Sequence, residues 1–460
     1  MAAAKPTKPG DIIFTKNIVT ARQAALWPYF VVIAGFLLCF IRFPGEWNAD
    51  THSQHAQMLS GLYADWHPPV FAAFWRVVNT AWSTVTGIQV TGSGVLYIVH
   101  ALMLWGGLAL LVRAGRDFFL SFTGTVRWQF CLVLGALLFF GVSEMVPMPR
   151  FIFKDTAMMA AYILALGILC NFPETRVPKI IAALFCLLLF FYGTAVRHNA
   201  IFAVLPLLFI LVAKYNPRST WKLLTLSTLF LWGILLLSIH GINYGVLKAE
   251  KQHSMQEIFY ADIWRLNFRT KTFDLPPPVK GVGWEPLTEE SFFRFYDRVP
   301  YVKAAFRFIN AYHRDAPIAI FRDFSGAQDD YKLLFRAWLD KILKHPAAYI
   351  ETRQRMFLRM LSQYSFMGFN GRWYLVFAVA VLGVLTARLV RKQMLGDITP
   401  YCVTLSGLLY VLPYLVFLTD IQRRYLFWFF FASLFGAIWF AGVTYMKRRI
   451  QSNSLSESHS

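Results

Sequence analysis

Apolar residues in this chain fall in long unbroken blocks, such as 201–212, 223–239 and 374–384. Strand-like alternation is not the dominant pattern. A helix of about 20 apolar residues crosses the hydrocarbon core of a bilayer. By that rule the pattern predicts spans at 24–43, 93–112, 128–146, 155–170, 179–196, 199–213, 223–243, 372–388, 398–418 and 424–446. The expected fold is an all-α polytopic membrane protein with about ten transmembrane helices. The residues 179–213 are read as two helices, because one continuous helix would hold Arg197, His198 and Asn199 near mid-membrane at high cost. A composition of 57% hydrophobic residues with positive mean hydropathy is too apolar for one soluble core of this length.

Charge orients the spans. Lys5, Lys8, Lys16 and Arg22 precede the first. Arg113, Arg116 and Arg127 form the next basic group, followed by Arg176 with Lys179, and Lys214 with Arg218 and Lys222. Arg388, Arg391 and Lys392, then Lys447, Arg448 and Arg449, complete the set. With ten spans all six groups fall on one side, which places both termini in the cytoplasm. The N-terminal basic stretch runs into a span with no small-residue cleavage site, so it reads as a retained first helix. The net charge of +20 largely follows from these loops and from membrane-facing anchors. No nucleic-acid motif accompanies it, so a nucleic-acid partner is not expected.

The five cysteines, Cys39, Cys131, Cys170, Cys186 and Cys402, lie in or beside apolar spans, and no disulfide framework is expected. On this topology the outer connections are 43–92, 147–154, 197–198, 244–371 and 419–423. The chain divides into a transmembrane module at 1–243, a periplasmic helical cap at 244–371 and a second transmembrane module at 372–460. Within the cap, Pro276, Pro277 and Pro278 predict a stiff turn. Residues 329–344 predict an amphipathic helix, capped by Asp329 or Asp330, with Leu333, Leu334, Trp338 and Ile342 on one face. Pro346 ends it, and 347–363 predicts another helix carrying Met356, Leu358, Met360 and Leu361. These two helices either pack on each other or leave the second at the interface.

The first outer segment carries the densest chemistry. Asp50 follows the first span closely, at headgroup level. It reads either as the N-cap of a helix over 51–62 or as a carboxylate facing a cleft, able to take a proton from a hydroxyl. In the run Asp65-Trp66-His67-Pro68-Pro69 the prolines force a corner. His67 there either binds a phosphate or sugar hydroxyl, or hydrogen-bonds Asp65 and holds the corner. His52, His55 and His67 lack a zinc-ligand spacing. Lys154 and Asp155 sit where a span begins. Asp155 is either a helix cap or a site for an acceptor or divalent ion, and Lys154 meets either lipid or donor phosphate. Arg197 and His198 occupy a tight outer turn, and Asp420, Arg423, Arg424 and Tyr425 the last outer loop. Arginines on the side that the charge bias disfavours point to anion binding, for which the planar guanidinium is well suited. Trp47, Trp66, Trp264 and Trp284 are either sugar-stacking platforms or interface anchors.

Taken in order, Asp50, the His67-Pro68-Pro69 corner, Lys154-Asp155, Arg197-His198-Asn199 and Arg423-Arg424-Tyr425 resemble the marks of the GT-C superfamily of polytopic glycosyltransferases. The resemblance covers most of 1–243 and the last span. It departs in having no second acid beside Asp50, which lies between Ala49 and Thr51, and in a cap shorter than many soluble domains of that class. It implies a GT-C-like bundle in the bacterial inner membrane with a periplasmic site. The donor would be a polyprenyl-phosphate-linked sugar, and the acceptor a cell-envelope glycan or lipid, such as lipopolysaccharide or another polysaccharide. Asp50 would be the catalytic base, with Asp155 and His67 also at the chemistry. Asp65, Lys154, Arg197, His198, Asp420, Arg423, Arg424 and Tyr425 would bind substrate. No cofactor is required, and a divalent cation stays open. The rival reading is a transporter or flippase for lipid-linked glycans or anionic solutes. It expects polar groups along the spans, whereas most charge here lies at span ends.

The topology has a direct check. With Arg218→Cys and Lys280→Cys variants, impermeant thiol reagents should label position 280 from the outside and position 218 only after permeabilisation. Labelling of both from one side overturns the ten-span arrangement.

Overall fold

A computed structural model describes residues 43–123, 152–274, 328–366, 368–390, 398–418 and 421–457, with scattered positions between 26 and 41 and position 289. The sequence expectations for 128–146, Glu144, Pro276 to Pro278, Trp284 and Asp420 lie outside the described residues. The fold is all-α apart from one two-stranded hairpin, Ser365–Phe366 with Phe369–Asn370. Two helices, α1 (Ala49–Ser60) and α2 (Val70–Thr86), form the segment that precedes the bundle's first fully described long helix. The first half of the bundle comprises α3 (Gly94–Thr123), α4 (Lys154–Cys170), α5 (Arg176–Ala195), α6 (Ala200–Tyr215) and α7 (Trp221–His240). A π-turn, Gly241–Val246, leads from α7 into α8 (Gln256–Thr270), α9 (Gln328–Lys344) and α10 (Pro346–Gln363). The chain re-enters the bundle as α11 (Gly371–Val390), α12 (Thr399–Val411), the short α13 (Tyr414–Phe417) and α14 (Phe427–Glu457).

Eight of the expected spans coincide with α3 to α7, α11, α12 and α14. Among the described residues, 6 helices are long and apolar enough to cross a membrane. The shorter apolar α6 and α4 stand among them. The chain is thus a multi-pass membrane bundle. Its lipid-facing sides are visible as exposed leucine, isoleucine, phenylalanine and valine on α5, α7 and α11.

Helix α4 is the axis of the bundle. It is apolar around its whole circumference, as a helix buried on every side must be. Ala157, Ala160, Ala161, Ala165 and Leu166 are fully enclosed. Small residues set the approach of α3. A Cβ added to Gly107 would lie 2.6 Å from the Leu164 backbone nitrogen, and one on Gly167 would lie 2.7 Å from the Gly107 carbonyl. Helices in lipid associate through such close backbone packing, since no hydrophobic gain separates them from the acyl chains. The two transmembrane modules pack as one bundle. Ser406 Oγ on α12 donates to the Ala203 carbonyl on α6 at 2.6 Å, and Trp428 Nε1 on α14 donates to Ser406 at 2.9 Å.

The cap departs from expectation. The expected amphipathic helices exist as α9 and α10, and Pro346 opens the second at a position where a missing N–H costs nothing. Helix α9 packs chiefly on α8, an element not predicted from the sequence, and α10 packs alike on α8, α11 and α13. Of the predicted faces, Leu334, Met356, Met360 and Leu361 are buried and Trp338 and Ile342 half-buried, while Leu333 and Leu358 stand half exposed. Trp264, offered as a sugar platform, is buried in α8 and carries no open ring face.

Gly107→Ala should destabilise the protein by about 1 to 3 kcal/mol, the usual scale of overpacking. Thermal unfolding in detergent or nanodiscs measures this. An unchanged unfolding temperature would mean that the α3–α4 contact opens at no cost.

Candidate active site

The segment that carries α1 is pinned to the start of α4. Ile152 N donates to the Glu46 carbonyl at 3.2 Å, and Thr51 Oγ1 donates to the Ile152 carbonyl at 2.9 Å. Asn48 is the N-cap of α1, its side chain accepting from Thr51 N at 2.8 Å. Asp50 is therefore not the cap, as one sequence reading had it. It lies in the first turn with its carboxylate released for other contacts. Asp155 is likewise no cap, because Phe153 holds that position at α4 without a side-chain bond. A polar N-cap upstream of an acid was the signal available at Asn48.

Both carboxylates meet arginine. Arg424 enters from a 3-10 turn, Arg423–Leu426, that opens α14. Its Nη2 donates to Asp50 Oδ2 at 2.9 Å, and its Nε lies 3.8 Å from Asp155 Oδ2. Asp155, 1% exposed, is held by Arg197 Nη1 at 3.0 Å and receives the Tyr410 hydroxyl at 3.4 Å. Arg197 also donates Nη2 to the Tyr414 hydroxyl at 2.8 Å and Nε to Asn199 Oδ1 at 3.1 Å, while stacking on Tyr425. Its donors are thus committed to the scaffold. Arg424 differs. It is 8% exposed, and its Nε and Nη1 have no hydrogen-bond partner among the described residues.

The proline corner separates the two residues it was expected to bring together. Asp65 turns toward the cap, accepting from Tyr244 OH at 2.8 Å and Gln252 N at 2.6 Å. His67 turns toward the bundle. Lys154 Nζ lies 2.6 Å from His67 Nδ1, and His67 Nε2 lies 3.6 Å from Asp50 Oδ1. An ammonium has only donors, so with Lys154 charged Nδ1 accepts and the ring proton sits on Nε2, on the side of Asp50. Burial, aided by Lys154, pushes His67 well below its ordinary pKa against the opposing pull of Asp50. Burial acts to raise the Asp50 carboxyl, but Lys154, His67 and Arg424 outweigh it and hold the group below the usual carboxylate range. The resting site therefore contains an ionised acid and a neutral imidazole.

The site thus brings together Asp50, His67, Lys154, Asp155, Arg197, Arg424 and Tyr425. Arg423 leaves it and donates to the Ser365 carbonyl at 3.3 Å, whereas His198, exposed in its turn, stays within electrostatic reach of Lys154, Arg197 and His67. Sequence reasoning missed Tyr410 and Tyr414, which look like ordinary span residues until the fold sets them against Asp155 and Arg197. Among the described residues no group of three or more histidine, cysteine, aspartate or glutamate side chains is placed to hold a metal. His52 and His55 pack on Trp47 at 5.1 and 4.5 Å between ring centroids, away from His67's partners. Asp50 and Asp155 share Arg424, so a divalent ion between them would meet a guanidinium. That donor set does not fit a cation.

His67 should stay neutral as the pH falls from about 7 to 5, a range in which a free histidine becomes charged. Because the folded pKa lies below the unfolded one, protons oppose the native site from about pH 6.5 downward. Histidine NMR, assigned with a His67→Asn variant, checks this, and a midpoint near 6.5 overturns the buried Lys154–His67 contact.

The chain matches no protein-family model, no curated protein and no solved structure.

Proposed function

We propose that the protein is an inverting membrane glycosyltransferase of GT-C type, taking its sugar from a polyprenyl-phosphate carrier. The observation that carries this reading is the pairing of ionised Asp50 with Arg424, whose buried Nε and Nη1 have no hydrogen-bond partner among the described residues. Arg197 and Arg424 pair with two carboxylates, Asp50 and Asp155, and Lys154 stands beside them against His67. A phosphate brought alongside Arg424 and Lys154 supplies acceptors for these donors. The ten-span arrangement, cytoplasmic termini and periplasmic site in a bacterial inner membrane belong to the same proposal.

The reaction is one displacement. The acceptor hydroxyl of a cell-envelope glycan or lipid loses its proton to Asp50 as its oxygen bonds to the anomeric carbon. The bond from that carbon to the carrier phosphate breaks, and the phosphate leaves with the electron pair. Arg424 and Lys154 neutralise the charge that develops on it. One displacement without a covalent enzyme intermediate inverts the anomeric centre. No metal or cofactor is assigned to any step.

The resting geometry adds a timing rule. Arg424 depresses the basicity of Asp50 for as long as it bonds the carboxylate. A donor phosphate competes for the same guanidinium. Donor binding thereby raises the basicity of Asp50 just when a hydroxyl must be deprotonated. His67 Nε2 stays 3.6 Å from the other oxygen of Asp50. The charged groups of this cluster lie at the starts and ends of helices, which supports chemistry at one membrane face over passage through the bundle.

Two variants separate the roles. Asp50→Asn should bind a polyprenyl-phosphate sugar yet lose roughly 100- to 10,000-fold in transfer. Arg424→Ala should lose about 1.5 to 3 kcal/mol of donor affinity with less effect on acceptor. Binding and single-turnover assays in nanodiscs measure both. Near-normal turnover by folded Asp50→Asn removes the base assignment, and unchanged donor affinity in both Arg424→Ala and Lys154→Ala removes the phosphate cradle.

A further inference from the structure

Residues 421–423 lead into Arg424 opposite Asp50, and the end of the cap touches Leu418, Ile421 and Arg423. Arg353 Nη1 on α10 donates to the Leu418 carbonyl at 2.7 Å. The Tyr364 hydroxyl, just after α10, donates to the Ile421 carbonyl at 3.1 Å. Arg423 returns a bond to the Ser365 carbonyl at 3.3 Å. The backbone on the N-terminal side of Arg424 is therefore seated on the cap.

The strongest of these contacts has a backing of its own. Arg353 is 4% exposed and its Nη2 pairs with Asp262 on α8, itself 1% exposed. Trp338 Nε1 on α9 donates to the same Asp262 oxygen at 3.0 Å. Arg265 Nη1 lies 3.7 Å from the other oxygen. Two arginines thus flank one carboxylate, and Asp262 would keep a cationic neighbour without Arg353. A buried ion pair is weak grounds for stability, since apolar replacements are often neutral. What Arg353 adds is a charged donor at the Leu418 carbonyl, on the approach to Arg424.

We infer that Arg353, oriented by Asp262, is a positioning residue. With Tyr364 it forms a clamp through which the α8–α10 cap holds Leu418 and Ile421, and hence the place of Arg424 opposite Asp50. The inference rests on the proposed role of Arg424 in binding phosphate, but the clamp itself can be read without any ligand. Slackening it leaves Asp50, His67 and Lys154 in place and moves only the guanidinium. All three cap helices meet at this ion pair, so a shift of any of them reaches the site by this route.

The test uses the full chain in nanodiscs with Arg353→Met and, as a milder variant, Tyr364→Phe. The first readout is hydrogen exchange at the Tyr425 amide, which donates to the Gln422 carbonyl at 3.2 Å. Exchange there should quicken about tenfold in either variant while α4 amides keep their protection. The second readout is binding of a polyprenyl phosphate, which should weaken about tenfold. In an Arg424→Ala background the same changes should cost nothing further, because the clamp acts only through that side chain. A merely structural role would give additive losses. Unchanged Tyr425 exchange in both variants, or additive losses, overturns the clamp. If exchange quickens but the wild-type protein binds no polyprenyl phosphate, the clamp stands and the phosphate role of Arg424 falls. Should Arg353→Met fail to fold, Tyr364→Phe decides the matter by the same readouts.

Discussion

The site depends on one electrostatic constraint, the burial of Asp155 at the start of the central helix. A carboxylate 1% exposed in the middle of a bundle cannot stay charged alone. Arg197 answers it directly at 3.0 Å, and Arg424 lies within ion-pair reach of the same oxygen. Each arginine must then be carried there by its own helix end. The α5–α6 turn, the end of α12 with its tyrosines, and the 3-10 turn before α14 all converge on this point. Asp155 thereby fixes the framework, while Arg424, only partly consumed by it, is free to serve Asp50. The two acids that look alike in sequence have opposite duties, one holding the scaffold and the other facing the opening.

Eight of the spans are legible in the sequence because lipid burial demands long apolar runs. The site acids and bases were also visible, because ionisable residues at span ends are costly without partners. Which residue pairs with which was not visible. Asp50 and Asp155 both look like helix caps, since a cap needs only an acid before an apolar run. Asn48 takes the duty at α1 and no side chain takes it at α4. The prolines after His67 correctly signalled a corner, but a corner has two sides, and only the fold shows Asp65 bound to Tyr244 and His67 bound to Lys154. Arg423 and Arg424 are equivalent as letters. The 3-10 turn aims one at Ser365 and the other at Asp50.

The cap was harder to read for a different reason. Helix α8 has no clean apolar face, because its buried side includes Asp262, Arg265 and Asn267. Its core is part ionic, so periodicity in hydrophobicity understates it. Leu333 and Leu358 were placed on the packing faces because the partner was taken to be another amphipathic helix. With α8 as a partner, the buried stripes also include Lys341 and Arg353.

The bond between Arg424 and Asp50 also joins residues 374 positions apart. Asp50 leaves the ribosome early, and its cation leaves near the end. Throughout synthesis and insertion the acid is accompanied by Lys154 and later by Arg197, but never by the guanidinium that completes the cluster. A chain inserted only as far as α13 therefore holds most of this scaffold without the guanidinium that bonds Asp50, and the cluster closes only once α14 has packed.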